Sequence, residues 1–190
     1  MIAVIVLVVL VLLVGLYVLL TYNSLVGLRN NVDNSWSQVD VSLKMRHDLV
    51  PNLAAAVQGY AAHERGAFEA VTQARAQAEA APGVPGAALG AAEVSLGLGI
   101  GRLLAIAEAY PDLKASENFL ALQQQLSSIE SQIQIARRVY NDTVETYLTK
   151  IQRIPSNIVA GTFGFKPKEF FKAPVEALAV PTVNVDGAAG

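Results

Sequence analysis

The start of the chain is hydrophobic and carries no charged side chain. Residues 2–20 are almost entirely Leu, Ile and Val, and the first charged side chain is that of Arg29. As a helix this stretch is about 28 Å long at ~1.5 Å per residue, close to the ~30 Å hydrocarbon core of a bilayer. A cleaved signal peptide has a basic start and a small-residue cleavage site, and neither is present. A buried soluble helix is rarely apolar on every face. The pattern predicts a transmembrane anchor over residues 1–22.

A second hydrophobic pattern follows the anchor. From Leu25 to Tyr60, apolar residues recur at alternating three- and four-residue steps, which is the period of one helix face and is near the heptad of a coiled coil. Arg46 alone breaks this face. Pro51 lies within it and favours a kink or a short break between two helices. The segment 81–86, rich in proline and glycine, predicts the end of the first helical arm.

Two more helices are predicted before the chain turns irregular. The first covers 91–109 and is closed by Tyr110-Pro111-Asp112. Ser116 is placed to cap the second, a long helix whose apolar face runs from Phe119 to Ile154. Helices of this length are expected to fold back on one another. The predicted fold class is therefore all-α: a single N-terminal transmembrane helix, an elongated antiparallel helical bundle over 23–172, and an extended or disordered tail over 173–190.

Charge and composition limit the classes of partner. The net charge is −2 and no basic stripe is interleaved with aromatic residues, which argues against nucleic acid. The absence of cysteine excludes disulfides and thiolate metal sites. No basic residue precedes the anchor, whereas Arg29, Lys44 and Arg46 follow it. The positive-inside rule then predicts an outside N-terminus and a cytoplasmic bundle.

The two histidine–carboxylate pairs, His47-Asp48 and His63-Glu64, are the candidates for metal or acid–base chemistry. The histidines are sixteen residues apart, which on one helix is a rotation of about 160° at ~100° per residue, so they point in nearly opposite directions. We therefore expect no shared metal site. Instead, His47 and Asp48 are predicted to hydrogen-bond around the Pro51 break, and His63 to meet a partner helix. No metal, cofactor or catalytic residue is predicted.

Three other features have structural interpretations. Arg46 within an apolar face needs a carboxylate or several carbonyl acceptors, and the candidate carboxylates on the long C-terminal helix are Glu130, Asp142 and Glu145. Such a pair is expected to fix helix register. Trp36 lies too far beyond the anchor for the membrane interface and is predicted to pack within the bundle or at a subunit contact. Gly97 and Gly101 lack the spacing of a nucleotide loop and predict a close approach of two helices.

Several separated blocks of the sequence resemble the LemA family of bacterial membrane proteins. The resemblance extends over residues 22–171, and its blocks include Tyr22-Asn23-Ser24-Leu25, Trp36-Ser37-Gln38-Val39-Asp40, Arg46-His47-Asp48-Leu49-Val50-Pro51, Gly59-Tyr60-Ala61, Ala109-Tyr110-Pro111-Asp112 and Phe163-Gly164-Phe165. It implies a single-pass anchor, an elongated antiparallel bundle and a location in the bacterial inner membrane with a cytoplasmic bundle. It implies no established enzymatic activity.

These observations favour a non-catalytic scaffold held in the lipid bilayer that forms homo-oligomers. The alternative is an adaptor whose aromatic segment 163–171 recruits a membrane protein, such as a membrane protease or another envelope enzyme. A third hypothesis is a hydrolase or metal enzyme that uses His47, His63 or Glu64. The residues singled out for interaction or structure are Trp36, Arg46, His47, Pro51, Tyr60, Tyr110, Phe163 and Phe165.

Overall fold

The computed structural model describes residues 1–172, and their secondary structure is helical. The helices are α1 (Ile2–Gln58), α2 (Arg65–Ala80), α3 (Ala87–Glu108), α4 (Pro111–Lys114), α5 (Glu117–Gln152) and α6 (Ser156–Thr162). No strand occurs within residues 1–172, which confirms the all-α class. The predicted tail over 173–190 lies outside the described residues.

Helix α1 joins the apolar N-terminal stretch to the bundle without interruption. It contains 57 residues and is roughly 85 Å long at the ~1.5 Å rise of an α-helix. Its apolar window is long enough to cross a membrane by length and composition, and no part of that window is buried in the protein. Helix α3 meets the same criterion, but a third of its window is buried and it packs on α2 and α1.

Helices α1 and α5 form the main antiparallel pair. Ser35 of α1 contacts Thr143 of α5, and Arg46 of α1 contacts Glu130 of α5. The residue numbers thus rise by eleven along α1 while they fall by thirteen along α5. The antiparallel arrangement predicted from the sequence is therefore confirmed. The hairpin of α2 and α3 packs beside the distal half of α1, away from the apolar N-terminal stretch.

The buried residues form two clusters along the bundle. The proximal core is the one nearer the apolar N-terminal stretch, and it lies mainly between α1, α5 and α6. The distal core lies between α1, α2, α3 and the start of α5. The largest fully buried side chains are Leu25, Val32, Val39, Tyr140 and Tyr147 in the proximal core, and Leu53, Val57, Val71, Leu96, Leu103, Leu113 and Phe119 in the distal core.

The structure corrects the predicted break at Pro51 and the predicted position of Tyr60, and it confirms the predicted cap at Ser116. Helix α1 continues through Pro51 instead of breaking there, and the chain turns only after Gln58. Tyr60 consequently lies beyond the helix with half of its surface exposed, so its predicted place on the apolar face is wrong. The prediction for Ser116 is confirmed, since its Oγ accepts a hydrogen bond from the backbone N–H of Phe119 at 3.2 Å.

The predicted close approach of helices exists, but at a different glycine. A Cβ atom built on Gly99 would lie 3.1 Å from Cγ2 and 3.2 Å from Cα of Val71 on α2. A Cβ on Gly97 or Gly101 would meet nothing within 4 Å. The prediction for Gly97 and Gly101 is therefore wrong, and the residue between them is the one that allows α3 to approach α2.

Candidate functional site

Pro51 exposes a backbone carbonyl that another helix then binds. Inside a helix, the N–H of residue 51 would donate to the carbonyl of His47, but proline has no N–H. Nε of Arg75, on α2, donates to that carbonyl instead, at 2.8 Å. The missing intrahelical hydrogen bond is thereby replaced by one between α1 and α2. Pro51 acts here as a docking position for α2 rather than as a helix terminus.

One turn before Pro51, Arg46 forms a buried ionic cluster with two glutamates. Its NH1 donates to Glu130 of α5 at 2.9 Å, and its NH2 is paired with Glu93 of α3. The predicted partner Glu130 is confirmed, whereas Asp142 and Glu145, the other predicted candidates, do not contact Arg46. The side chains of Arg46 and Glu93 are 7% and 6% exposed, but that of Glu130 is 37% exposed. The buried pair is therefore the one between Arg46 and Glu93.

His47 completes this cluster through its side chain. Its Nε2 lies 2.8 Å from Oε1 of Glu93, so one carboxylate binds both neighbouring residues of α1. The predicted hydrogen bonding of His47 near Pro51 applies to its backbone carbonyl, whereas its imidazole turns to α3. His63, predicted to meet a partner helix, is exposed in the turn before α2, and that prediction is wrong.

The electrostatics of the cluster favour the charged forms of Arg46 and Glu93. Burial by itself raises the pKa of the Glu93 carboxyl, but the hydrogen bond with His47 and the charge of Arg46 outweigh it, so the pKa lies below the ordinary value for glutamate. Burial also opposes the charge of Arg46, yet the charges of Glu130 and Glu93 leave its pKa above the ordinary value. The Glu93 carboxyl therefore lacks the raised pKa that a general acid at neutral pH needs.

An open groove of about 1130 Å³ lies beside the cluster. Arg46, Glu93 and Glu130 border it, together with Arg137 and Arg138 of α5. Of the three acids that line it, Glu93 and Glu130 are already paired with Arg46, whereas Asp142 is not. Residues 1–172 contain no group of three His, Cys, Asp or Glu side chains arranged to hold a metal ion. The cluster is thus suited to holding α1, α3 and α5 in register.

Trp36 packs inside the bundle, which is one of the two positions predicted for it. Its ring meets Tyr140 and Phe171 edge-on, at centroid distances of 5.2 and 5.5 Å. Its Nε1 donates to the carbonyl of Gly83 at 3.0 Å. Trp36 thereby connects α1 to α5, to the loop before α3 and to the segment after α6.

The other aromatic residues singled out from the sequence lie at opposite ends of the bundle. Phe163 and Phe165 contact Tyr22 at centroid distances of 5.0 and 5.7 Å, at the proximal end. The guanidinium of Arg29 lies 5.5 Å from the centre of the Phe165 ring. Tyr110 is half-buried against the distal core, in the turn between α3 and α4.

The LemA family model matches residues 35–185, which is most of the chain. The chain belongs to the LemA family. It is 27% identical over 178 residues to magnetosome proteins MamQ 2 and MamQ 1 of Paramagnetospirillum magneticum (strain ATCC 700264 / AMB-1), and 27% identical over 177 residues to magnetosome protein MamQ of Magnetospirillum gryphiswaldense. These matches cover about 81% of this chain, which in turn spans 65% of the length of the MamQ proteins.

Family membership confirms the resemblance seen in the sequence. Together with the apolar start of α1, it describes a membrane-associated helical protein of the LemA type. The matched range contains the Arg46 cluster and Trp36 and excludes the whole apolar stretch. Sequence reasoning missed Glu93 and Arg75. The available signal for Glu93 was its isolation, because it is the only charged residue between Ala87 and Gly101.

Proposed function

We propose that this protein is a non-catalytic scaffold of the bacterial inner membrane, anchored by α1, that associates with further copies of itself. The observation that carries the proposal is the continuity of α1, which joins an unburied apolar stretch to the framework of the bundle. The buried ionic groups beside it are used to pair helices. A rigid bundle on a membrane tether raises the local concentration of neighbouring copies, so weak contacts suffice for assembly.

The N-terminus is proposed to face outside and the bundle the cytoplasm. The fold supports this orientation more strongly than the order of residues along α1 does. Lys150, at the end of α5, and Arg153, just after it, lie at the proximal end of the bundle with Arg29. Basic residues close to the end of a span favour the cytoplasmic side.

A patch on α1 and α5 is the proposed contact between copies. It consists of Val41 and Met45 of α1 with Ile135 and Val139 of α5, all of them exposed. Both pairs lie between the Ser35–Thr143 contact and the Arg46–Glu130 contact, so they are at the same height in the bundle. Successive residues of a helix are rotated by about 100°, which places the α1 pair and the α5 pair on the flank of the two helices opposite to His47. Adjoining exposed apolar side chains of this kind mark interaction surfaces.

The test compares two charge substitutions in the full chain. Ile135→Glu places a carboxylate in the α1–α5 patch, while Leu98→Glu does the same at an exposed position on α3. We expect crosslinking in membranes to give multimers for the wild type and for Leu98→Glu, and only monomers for Ile135→Glu. A wild type that stays monomeric at every concentration in the membrane would refute self-association. Equal multimer yields from both variants would refute this patch as the contact.

The adaptor alternative depended on the aromatic segment 163–171 as a docking surface. In the structure, Phe171 is buried in the proximal core, and Phe165 and Phe170 are half-buried against it. Phe163 alone among these four rings is exposed. Within residues 1–172 no specific contact favours recruitment of a membrane protease, and that function stays a prediction from the sequence.

A further inference from the structure

Helix α6 closes the proximal end of the bundle. Because α5 runs antiparallel to α1, its C-terminal end lies beside the residues that follow the apolar stretch. The chain then turns into α6 and returns along the bundle, so that Phe163 contacts Tyr22 and Lys168 pairs with Asp33 at 2.8 Å. Among the described residues outside α1, the turn that contains α6 thus lies close to the apolar stretch.

The buried face of α6 packs at the level where the apolar stretch ends. Val159 and Ala160 belong to the proximal core, and Val18 of α1 packs against the same core. Val18 lies inside the stretch that has the composition of a membrane span. The bundle and the span therefore overlap along α1, with no length of bare helix between them.

The opposite face of this turn is apolar and exposed. It consists of Ile154, Ile158 and Phe163, which are 79%, 66% and 52% exposed and which we term the proximal patch. Single exposed apolar residues scattered over a surface are normal in proteins. Two isoleucines and a phenylalanine at the same end of a bundle form a patch instead.

The segment that bears the proximal patch, residues 146–168, carries charged side chains of one sign only. Residues 146–168 contain four basic residues and no acidic one, although the whole chain has a net charge of −2. Of these four, Lys168 is paired with Asp33, whereas Arg153 and Lys166 are exposed and Lys150 is partly exposed. The basic residues are thus concentrated around the turn that bears the patch.

We propose that the proximal patch inserts into the headgroup region of the bilayer that holds α1, with Lys150, Arg153 and Lys166 binding the phosphates of anionic lipids. This inference rests on the proposed anchoring of α1. An apolar face bordered by basic side chains is the composition of interfacial membrane-binding segments. Each basic residue close to an anionic surface strengthens partitioning about fivefold.

A bilayer fits this patch better than a second copy of the chain. The patch is continuous with a span that itself needs lipid, and a second bundle on it would bring two sets of like charges together. With two attachments, one through α1 and one through α6, the bundle is held at a fixed tilt. A tether through α1 alone would leave its rotation about that helix free.

Depth-dependent quenching in vesicles tests this proposal. The chain has no cysteine, so single cysteines carry one polarity-sensitive fluorophore in the full-length protein: Ile158→Cys in the patch, Leu98→Cys as an exposed distal control, and Leu10→Cys in the span. Vesicles contain phosphatidylethanolamine with phosphatidylglycerol, and a nitroxide-labelled lipid supplies the quencher. We expect severalfold stronger quenching at Ile158→Cys than at Leu98→Cys. Replacing Lys150 and Arg153 with Gln should weaken it.

The three labels separate failure of the patch from failure of the anchor. If the label at Leu10→Cys is quenched and the label at Ile158→Cys is not, the span is inserted and the patch proposal is overturned. If the label at Leu10→Cys is not quenched either, the anchor fails and the patch fails with it. If the label at Ile158→Cys is protected from aqueous iodide without being quenched by lipid, protein covers the patch and the bilayer is the wrong occupant.

Discussion

Replacing Glu93 tests whether the buried cluster holds the bundle together. Glu93→Ala removes the buried partner of Arg46 and the acceptor of His47 in one step. Removing one member of a buried ion pair costs about 3 to 5 kcal/mol, because the other charge stays buried without compensation. Glu130→Ala is the matched control. It removes a partner of the same guanidinium, but its carboxylate is 37% exposed, so screening limits its contribution to about 1 kcal/mol or less.

The measurement is chemical unfolding of the full-length protein in a mild detergent. Trp36 is the only tryptophan and packs against Tyr140 of α5, so its fluorescence reports the separation of α1 from α5. A loss of about 3 kcal/mol is a large part of the 5 to 15 kcal/mol typical of a domain. The interpretation is refuted if Glu93→Ala is no more destabilising than Glu130→Ala.

The buried carboxylate of Glu93 also predicts how the free energy of unfolding depends on pH below neutrality. The pKa of Glu93 is lowered in the folded protein. As the pH falls, the Glu93 carboxylate therefore binds a proton at a higher pH in the unfolded chain than in the folded one. This contribution to stability is therefore present above the unfolded value of about 4.3 and is lost as the pH falls through the folded pKa. Glu93→Gln should flatten the acid limb of unfolding free energy against pH. An unchanged acid limb would show that other carboxylates dominate it.

Three further predictions use unfolding free energy as the measurement. Arg75→Ala should cost about 1 to 3 kcal/mol, because it leaves the buried carbonyl of His47 unpaired. The same substitution should cost less in a Pro51→Ala background, where the N–H of residue 51 can donate to that carbonyl. Equal losses in the two backgrounds would contradict this. Gly97→Ala should stabilise α3 by about 1 kcal/mol, because alanine has the higher helix propensity. Gly99→Ala should not stabilise it, because the added methyl group is too close to Val71. Equal stabilisation by the two substitutions would contradict the close approach. Burial raises the pKa of Tyr140 to about 12, so its stabilisation is lost as pH rises from about 10 towards that value, and Tyr140→Phe should flatten this alkaline limb.

Hydrophobic periodicity was sufficient to predict the apolar faces of α1 and α5, and the length of these helices predicted their antiparallel order. The apolar faces that begin at Leu25 and Phe119 bury their members against each other, since two long amphipathic helices of one chain have few other ways to exclude water. The cap at Ser116 was predictable because it depends on local hydrogen bonding alone. The need of a buried guanidinium for a carboxylate predicted a partner for Arg46 on α5, and Glu130 was one of the three candidates.

The errors come from features that depend on a second helix. Pro51 reads as a break when only its own helix is considered, but Arg75 supplies the donor that proline lacks. Gly97, Gly99 and Gly101 cannot be distinguished by residue type. Gly99 is the one at the close approach because Val71 of α2 lies against α3 at its position. Glu93 was missed because the partner of a buried charge is chosen by three-dimensional proximity rather than by spacing.

The continuity of α1 determines what the bundle can do at a membrane. A flexible linker between span and bundle would let the bundle rotate freely, and its surface contacts would then have no fixed direction. Here the helix that has the composition of a span is also the central helix of the bundle, and its turns are fixed to α5 by Trp36 and to α3 by the Arg46 cluster. Any rotation of the span therefore rotates the α1–α5 patch by the same angle. Copies in one membrane consequently meet with the patch at one height, which reduces association to a search in two dimensions.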